Sequence, residues 1–186
     1  MKRIFAMLAV ALLPTLTFAA PVSFSQSQSI TTTAQAFSFN FPGLPASDGG
    51  GGQFIFHASG DFSDNFGTAE SAALNFDGFG TVVMNESGVL SNSVAGLSLL
   101  TFSSFATVDF FDETFIATFT MSAALLNSLL SDNAAFFGVQ NGPQVNVYAN
   151  DPDFISLTMN YNVPEPGSLA LMGLGLLGVV GLRRRS

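Results

Sequence analysis

Phe37-Ser38-Phe39-Asn40-Phe41 alternates ring and polar side chain without a break. Successive residues of an extended strand point to opposite faces, so this spacing sets three rings on one side and Ser38 and Asn40 on the other. A helix would scatter the same rings around its circumference. Phe54 and Phe56 repeat the pattern across Gln53, Ile55 and His57. Further strand-like runs cover Ala72–Phe76, Gly80–Asn85, Leu97–Phe102, Ala106–Phe111, Thr114–Thr120, Gln144–Tyr148 and Phe154–Tyr161. Turn formers separate them, among them Asp77-Gly78, Ser87-Gly88, Asn141-Gly142-Pro143 and Asp151-Pro152. Short strands at this spacing predict an all-β chain, folded as a single β-sandwich or jelly-roll-like domain.

One segment departs from alternation. Met121-Ser-Ala-Ala-Leu-Leu-Asn-Ser-Leu-Leu130 is rich in helix formers and places Met121, Leu125 and Leu129 on one face, which predicts a short helix between two strands. Ser131-Asp132-Asn133 ends it. The run Gly49–Gly52 reads as a flexible loop tip.

Charge is distributed unevenly. All five basic residues (Lys2, Arg3, Arg183, Arg184, Arg185) lie near the two ends, and twelve of the 13 acidic residues lie between 20 and 162. That interval holds no Lys or Arg and one histidine, His57. Nucleic acid is excluded as a partner, because nothing there can displace phosphate counterions. Cohesion must come from apolar burial and hydrogen bonds. The chain has 21 Phe, all but Phe5 and Phe18 beyond residue 19, and each contributes roughly 1.5–3 kcal/mol when fully buried. Cysteine is absent, which rules out a disulfide framework.

Chemistry is sparse by the same reading. His57 sits in an alternating strand without a nucleophile-elbow serine nearby, and a single histidine without cysteine leaves a zinc site to carboxylates alone. The carboxylate groups Asp61 with Asp64, Asp109 with Asp112 and Glu113, and Asp151 with Asp153 read as solvated turns. A sugar-cleaving groove would have no Trp and only Tyr148 and Tyr161 to line it. No catalytic residue is assigned, and no enzyme is expected. Calcium needs only oxygens, and Asp61, Ser63, Asp64 and Asn65 form a candidate weak calcium loop. It departs from the EF-hand, with Phe66 at the sixth position and Ala72 at the twelfth. No other cofactor is expected.

The ends carry targeting signals. Residues 1–19 read as a signal peptide: Lys2 and Arg3, the apolar Ile4–Leu13, and the small-x-small site Thr17-Phe18-Ala19 for signal peptidase. Residues 20–162 form the acidic Phe-rich body, and 163–186 a tail. In the tail, Pro164-Glu165-Pro166 is held extended by its prolines, Gly167–Leu182 runs 16 residues without a charge, and Arg183, Arg184 and Arg185 follow. As a helix the apolar run spans roughly 24 Å, a short membrane crossing, with the arginines stopping it on the cytoplasmic side.

This order of motif, apolar run and arginines resembles the PEP-CTERM sorting tail of exported bacterial proteins. The resemblance implies that an exosortase-type enzyme recognises and processes the tail at Pro164, Glu165 and Pro166, after a membrane-anchored intermediate stage held by the apolar helix. It also implies a Gram-negative organism, often one making exopolysaccharide, with delivery to the cell surface or extracellular matrix. More loosely, Gly60-Asp61-Phe62 through Gly78-Phe79-Gly80, Ala124–Asn127 and Ser156–Thr158 resemble β-rich domains found upstream of such tails. The expectation is a non-catalytic structural component associated with exopolysaccharide or biofilm. The alternatives are a carbohydrate-binding or calcium-dependent lectin-like module, or a single-pass inner-membrane-anchored periplasmic protein.

Overall fold

The structure is a computed structural model in which residues 19–62, 70–106, 113–145 and 153–165 are described. Pro21–Val163 forms one compact unit. The described residues hold ten strands and one short helix: β1 (Ala19–Ser29), β2 (Ala36–Pro42), β3 (Gly52–Gly60), β4 (Ala72–Phe76), β5 (Thr81–Asn85), β6 (Gly88–Asn92), β7 (Leu97–Ala106), β8 (Glu113–Met121), α1 (Ala123–Leu129), β9 (Ala134–Asn141) and β10 (Phe154–Pro164). The strands form two five-stranded sheets, ordered β1-β10-β3-β8-β7 and β2-β9-β4-β5-β6. Without β6 and β7, the quartet β1-β10-β3-β8 faces β2-β9-β4-β5, the interleaving of a jelly roll.

The core follows from the alternation. Phe37, Phe39 and Phe41 of β2 are buried while Ser38 and Asn40 are exposed. Phe54 of β3 meets Phe76 of β4 at a ring-centroid distance of 4.8 Å and Phe137 of β9 at 5.0 Å, and these two rings lie 4.9 Å apart. This trio joins the two sheets through tilted and edge-on contacts, the arrangement that ring quadrupoles favour. Phe115 of β8 stacks against Phe56 and Phe102 at 5.6 and 5.7 Å.

The two open sides of the sandwich are finished differently. Where β1 lies over β2, the inward amides of Gln26 and Gln28 donate to the carbonyls of Asn40 and Ser38 at 2.6 and 2.7 Å. On the opposite side β6 and β7 each carry a bulge. The β5–β6 register skips Leu90 and the β7–β8 register skips Leu100. A bulge re-aims the extra side chain, and both leucines are exposed, as is Leu99.

Several expectations are corrected. Met121 closes β8, and α1 starts only at Ala123, capped by the Ser122 hydroxyl that accepts from Leu125 N at 3.2 Å. Leu125, Leu126 and Leu129 are its buried face. The glycine run is not a free tip, because Gly52 opens β3 and a side chain on Gly51 would strike the Met121 carbonyl. Pro143 and Gln144 form a turn, so the strand expected over Gln144–Tyr148 does not start there, and 146–148 lie outside the described residues. Ala106 ends β7 instead of opening a strand, and 107–111 also lie outside. Strands β1, β6 and β9 were not expected from sequence.

Candidate functional site

The tail motif begins inside the fold. β10 ends on Pro164, the first residue of Pro-Glu-Pro, and Glu165 follows it half-buried. Proline has no N–H to donate to a ladder and is confined to edges and strand ends, so β10 stops where the motif starts. Pro166, the apolar run 167–182 and Arg183, Arg184 and Arg185 lie outside the described residues, as do residues 1–18 of the expected signal peptide. Among the described residues, no helix is long and apolar enough to cross a membrane.

The calcium loop is seen only in part. Asp61 follows β3 and is buried, whereas Ser63, Asp64 and Asn65 lie outside the described residues. Among the described residues, no three acidic or histidine side chains group closely enough to hold a metal ion. Asp61 nevertheless has notable company. Ser59, Glu70, Ser71, Asn85, Glu113, Asn141 and Asp153 are the other buried polar residues among the described residues, and all sit on or beside the same ends of β3, β4, β5, β8, β9 and β10. Asn141 is 1% exposed, and neither atom of its side-chain amide has a partner among the described residues. Of the other carboxylates grouped by sequence, Asp109, Asp112 and Asp151 lie outside the described residues.

His57 sits on the outer face of β3, between Ser156 of β10 and Ile116 of β8. Its imidazole meets the Phe154 ring edge-on at 4.8 Å. Partial burial lowers its pKa and favours the neutral ring. Among the described residues, no serine or carboxylate is its hydrogen-bond partner.

A cleft of about 670 Å³ opens at the other end of this sheet, and sequence reading missed it. Its rim is a register row crossing three strands, Asn160 of β10, Gln53 of β3 and Thr120 of β8, with Ser23 of β1 and Asn162 beside them. Gly51 and Gly52 also line it. A Cβ on Gly52 would lie 2.8 Å from the Asn160 carbonyl, so only glycine lets the backbone approach this closely. Tyr161 turns its ring inward, stacks on Phe24 at 5.9 Å and donates its hydroxyl to the Pro45 carbonyl at 2.9 Å. Burial pushes its pKa up to about 12. The sequence signal for this site was the glycine run that leads into β3 at Gly52.

Residues 162–185 match the PEP-CTERM protein-sorting motif. The chain therefore carries the C-terminal sorting signal of an exported, exosortase-processed protein, membrane-anchored through that signal. No curated protein and no solved structure matches the chain.

Proposed function

We propose that this protein is a non-catalytic structural component of the polysaccharide-rich material outside a Gram-negative cell, delivered there by exosortase-type processing. The observation that carries the reading is the sorting motif at 162–185, set without a spacer on the last strand of a β-sandwich. In this reading signal peptidase removes residues 1–19, the apolar run 167–182 holds an inner-membrane intermediate, and Arg183–Arg185 stop it. Processing at Pro164-Glu165-Pro166 then frees the body to the cell surface or matrix. The sandwich supports a structural role through its cation-free body and its Phe-packed core.

The test is the intact mass and C-terminal peptide of the protein recovered from outer-membrane, medium and inner-membrane fractions of its host. A chain ending near Pro164–Pro166 outside the inner membrane is expected. A chain retained in the inner membrane with Arg183-Arg184-Arg185-Ser186 still present would overturn the reading and leave a single-pass anchored periplasmic protein.

A second reading, a carbohydrate-binding or calcium-dependent module, is favoured by the uncharged cleft on the outer sheet face. In its calcium form, Asp61, Ser63, Asp64 and Asn65 bind one weak ion.

A further inference from the structure

The outer face of the β1-β10-β3-β8-β7 sheet is rich in hydroxyls, and several of them are already engaged. Thr158 donates to the Ser25 hydroxyl at 2.8 Å, and Ser59 pairs with Thr114 at 3.0 Å. Ser156 and Ser27 reach the carbonyls of Gln26 and Ile155 at 3.2 and 3.4 Å. At the cleft, Thr120 donates to the Ser98 carbonyl at 3.3 Å and Tyr161 to the Pro45 carbonyl, and the other polar side chains of the lining are not engaged. The side chains of Ser23, Gln53, Asn160 and Asn162 make no hydrogen bond among the described residues, although all four border one depression. Three amides and a hydroxyl thus present donors and acceptors together to whatever fills it.

The lining also selects by charge. Among the described residues, no ionisable side chain other than the inward-turned Tyr161 borders the cleft. Residues 20–162 carry twelve carboxylates and no Lys or Arg, so an anion finds repulsion and no counter-charge. A cation finds amide oxygens but, among the described residues, no carboxylate at the rim. Val22 and Pro21 add an apolar wall beside the amides. A volume of this size is in the range of small-molecule sites, and its openness at the surface suits a chain that runs through it rather than a ligand enclosed by it.

We propose that this cleft is a binding site for a neutral, polyhydroxylated chain, an uncharged glycan, held by Gln53, Asn160, Asn162 and Ser23. Glycan hydroxyls are both donors and acceptors, as side-chain amides are. Pro21 and Val22 offer an apolar face to the sugar's C–H surface. The assignment rests on the reading of the chain as part of a polysaccharide-rich layer, and it gives that layer a point of attachment.

The test is calorimetric titration of the full-length chain, held in a detergent without a sugar headgroup. The probes are cello-, laminari-, malto- and xylo-oligosaccharides, the host's neutral exopolysaccharide fraction and, as the anionic comparison, oligogalacturonate. Saturable binding to a neutral glycan and none to oligogalacturonate is expected. The double substitution Gln53→Ala with Asn160→Ala should weaken that binding about tenfold or more, since two hydrogen bonds are lost. Ser91→Ala, on the other sheet, should leave it unchanged. Both substituted positions are at the surface, and a thermal melt matching the parent shows that the fold is kept. Absence of binding to every neutral glycan, binding only to oligogalacturonate, or binding that the double substitution leaves intact would overturn the proposal. Cell fractionation decides the delivery reading separately: binding in vitro with a chain retained in the inner membrane would sink the delivery reading and keep the cleft.

Discussion

The Gln26 side-chain amide of β1 donates to the main-chain carbonyl of Asn40 on β2 at 2.6 Å, and Gln28 does the same to Ser38 two residues back along that strand. Two sheets that share no ladder are thus tied along one side, and two carbonyls on the free edge of β2 are occupied. An unoccupied edge would be a template for another chain.

Gln26→Ala with Gln28→Ala should lower unfolding stability by about 1–3 kcal/mol, two hydrogen bonds of roughly 0.5–1.5 kcal/mol each. It should also raise concentration-dependent association. Urea titration and light scattering read the two effects; stability and association both unchanged would show that the amides do not close the edge.

The β6–β7 side should behave in the opposite way. Leu90 and Leu100 are the unpaired residues of two bulges and are 45% and 52% exposed. Replacing both with serine should reduce self-association while changing stability by no more than about 0.5 kcal/mol per site. Light scattering at matched concentrations checks this, and a large fall in stability would mean that these side chains serve the core.

Phe54 and Phe105 separate packing from composition. Phe54 is fully buried between Phe76 and Phe137, whereas Phe105 is 52% exposed. Phe54→Ala should cost about 3–5 kcal/mol, and Phe105→Ala far less. Equal costs in chemical denaturation would contradict the placement of the core.

Asp77 gives a pH signature. It sits at φ 49° in the β4–β5 turn, a left-handed backbone that Asn tolerates well. Partial burial raises its pKa, a backbone hydrogen bond from Phe136 opposes the rise, and the Asp132 charge adds to it. A raised folded pKa means that the folded state binds this proton more tightly than the unfolded state. The ionised form therefore costs stability at neutral pH, and the cost disappears as the pH falls below the ordinary carboxylate range. Asp77→Asn should raise the melting temperature at pH 7 and bring no gain near pH 3. A gain that persists at pH 3 would show that electrostatics is not the cause.

With twelve carboxylates and no Lys or Arg between 20 and 162, added salt should raise the melting temperature by screening self-repulsion. Calcium and magnesium at equal ionic strength separate screening from a site. A saturable rise with calcium alone would support the ion proposed at Asp61, and identical curves would remove it.

What the sequence reveals here depends on where apolar residues meet strand geometry. β2, β3 and β8 are legible because rings and aliphatic chains recur at every second position. β1 is not, because the inward positions beyond Phe24 are Gln26 and Gln28, so Ser-Gln-Ser-Gln shows no apolar period. In β9 the exposed Phe136 falls between buried Ala135 and Phe137 and hides the alternation. β6 is five residues long and bulged at Leu90, too short for any period to register. The cleft was illegible for a different reason: Asn160, Gln53 and Thr120 are far apart in the chain, and only the strand register lines them up.

Strand order also bears on timing. β10 is the last strand to be made, yet it lies between β1 and β3. Until residues 154–164 are available, β1 has no ladder partner and β3 has only β8. Closure over such sequence separations is slow, because the loop entropy must be spent before the contacts form. In an exported chain, closure of the β1-β10-β3 pairing therefore waits on the residues that lead into the sorting motif.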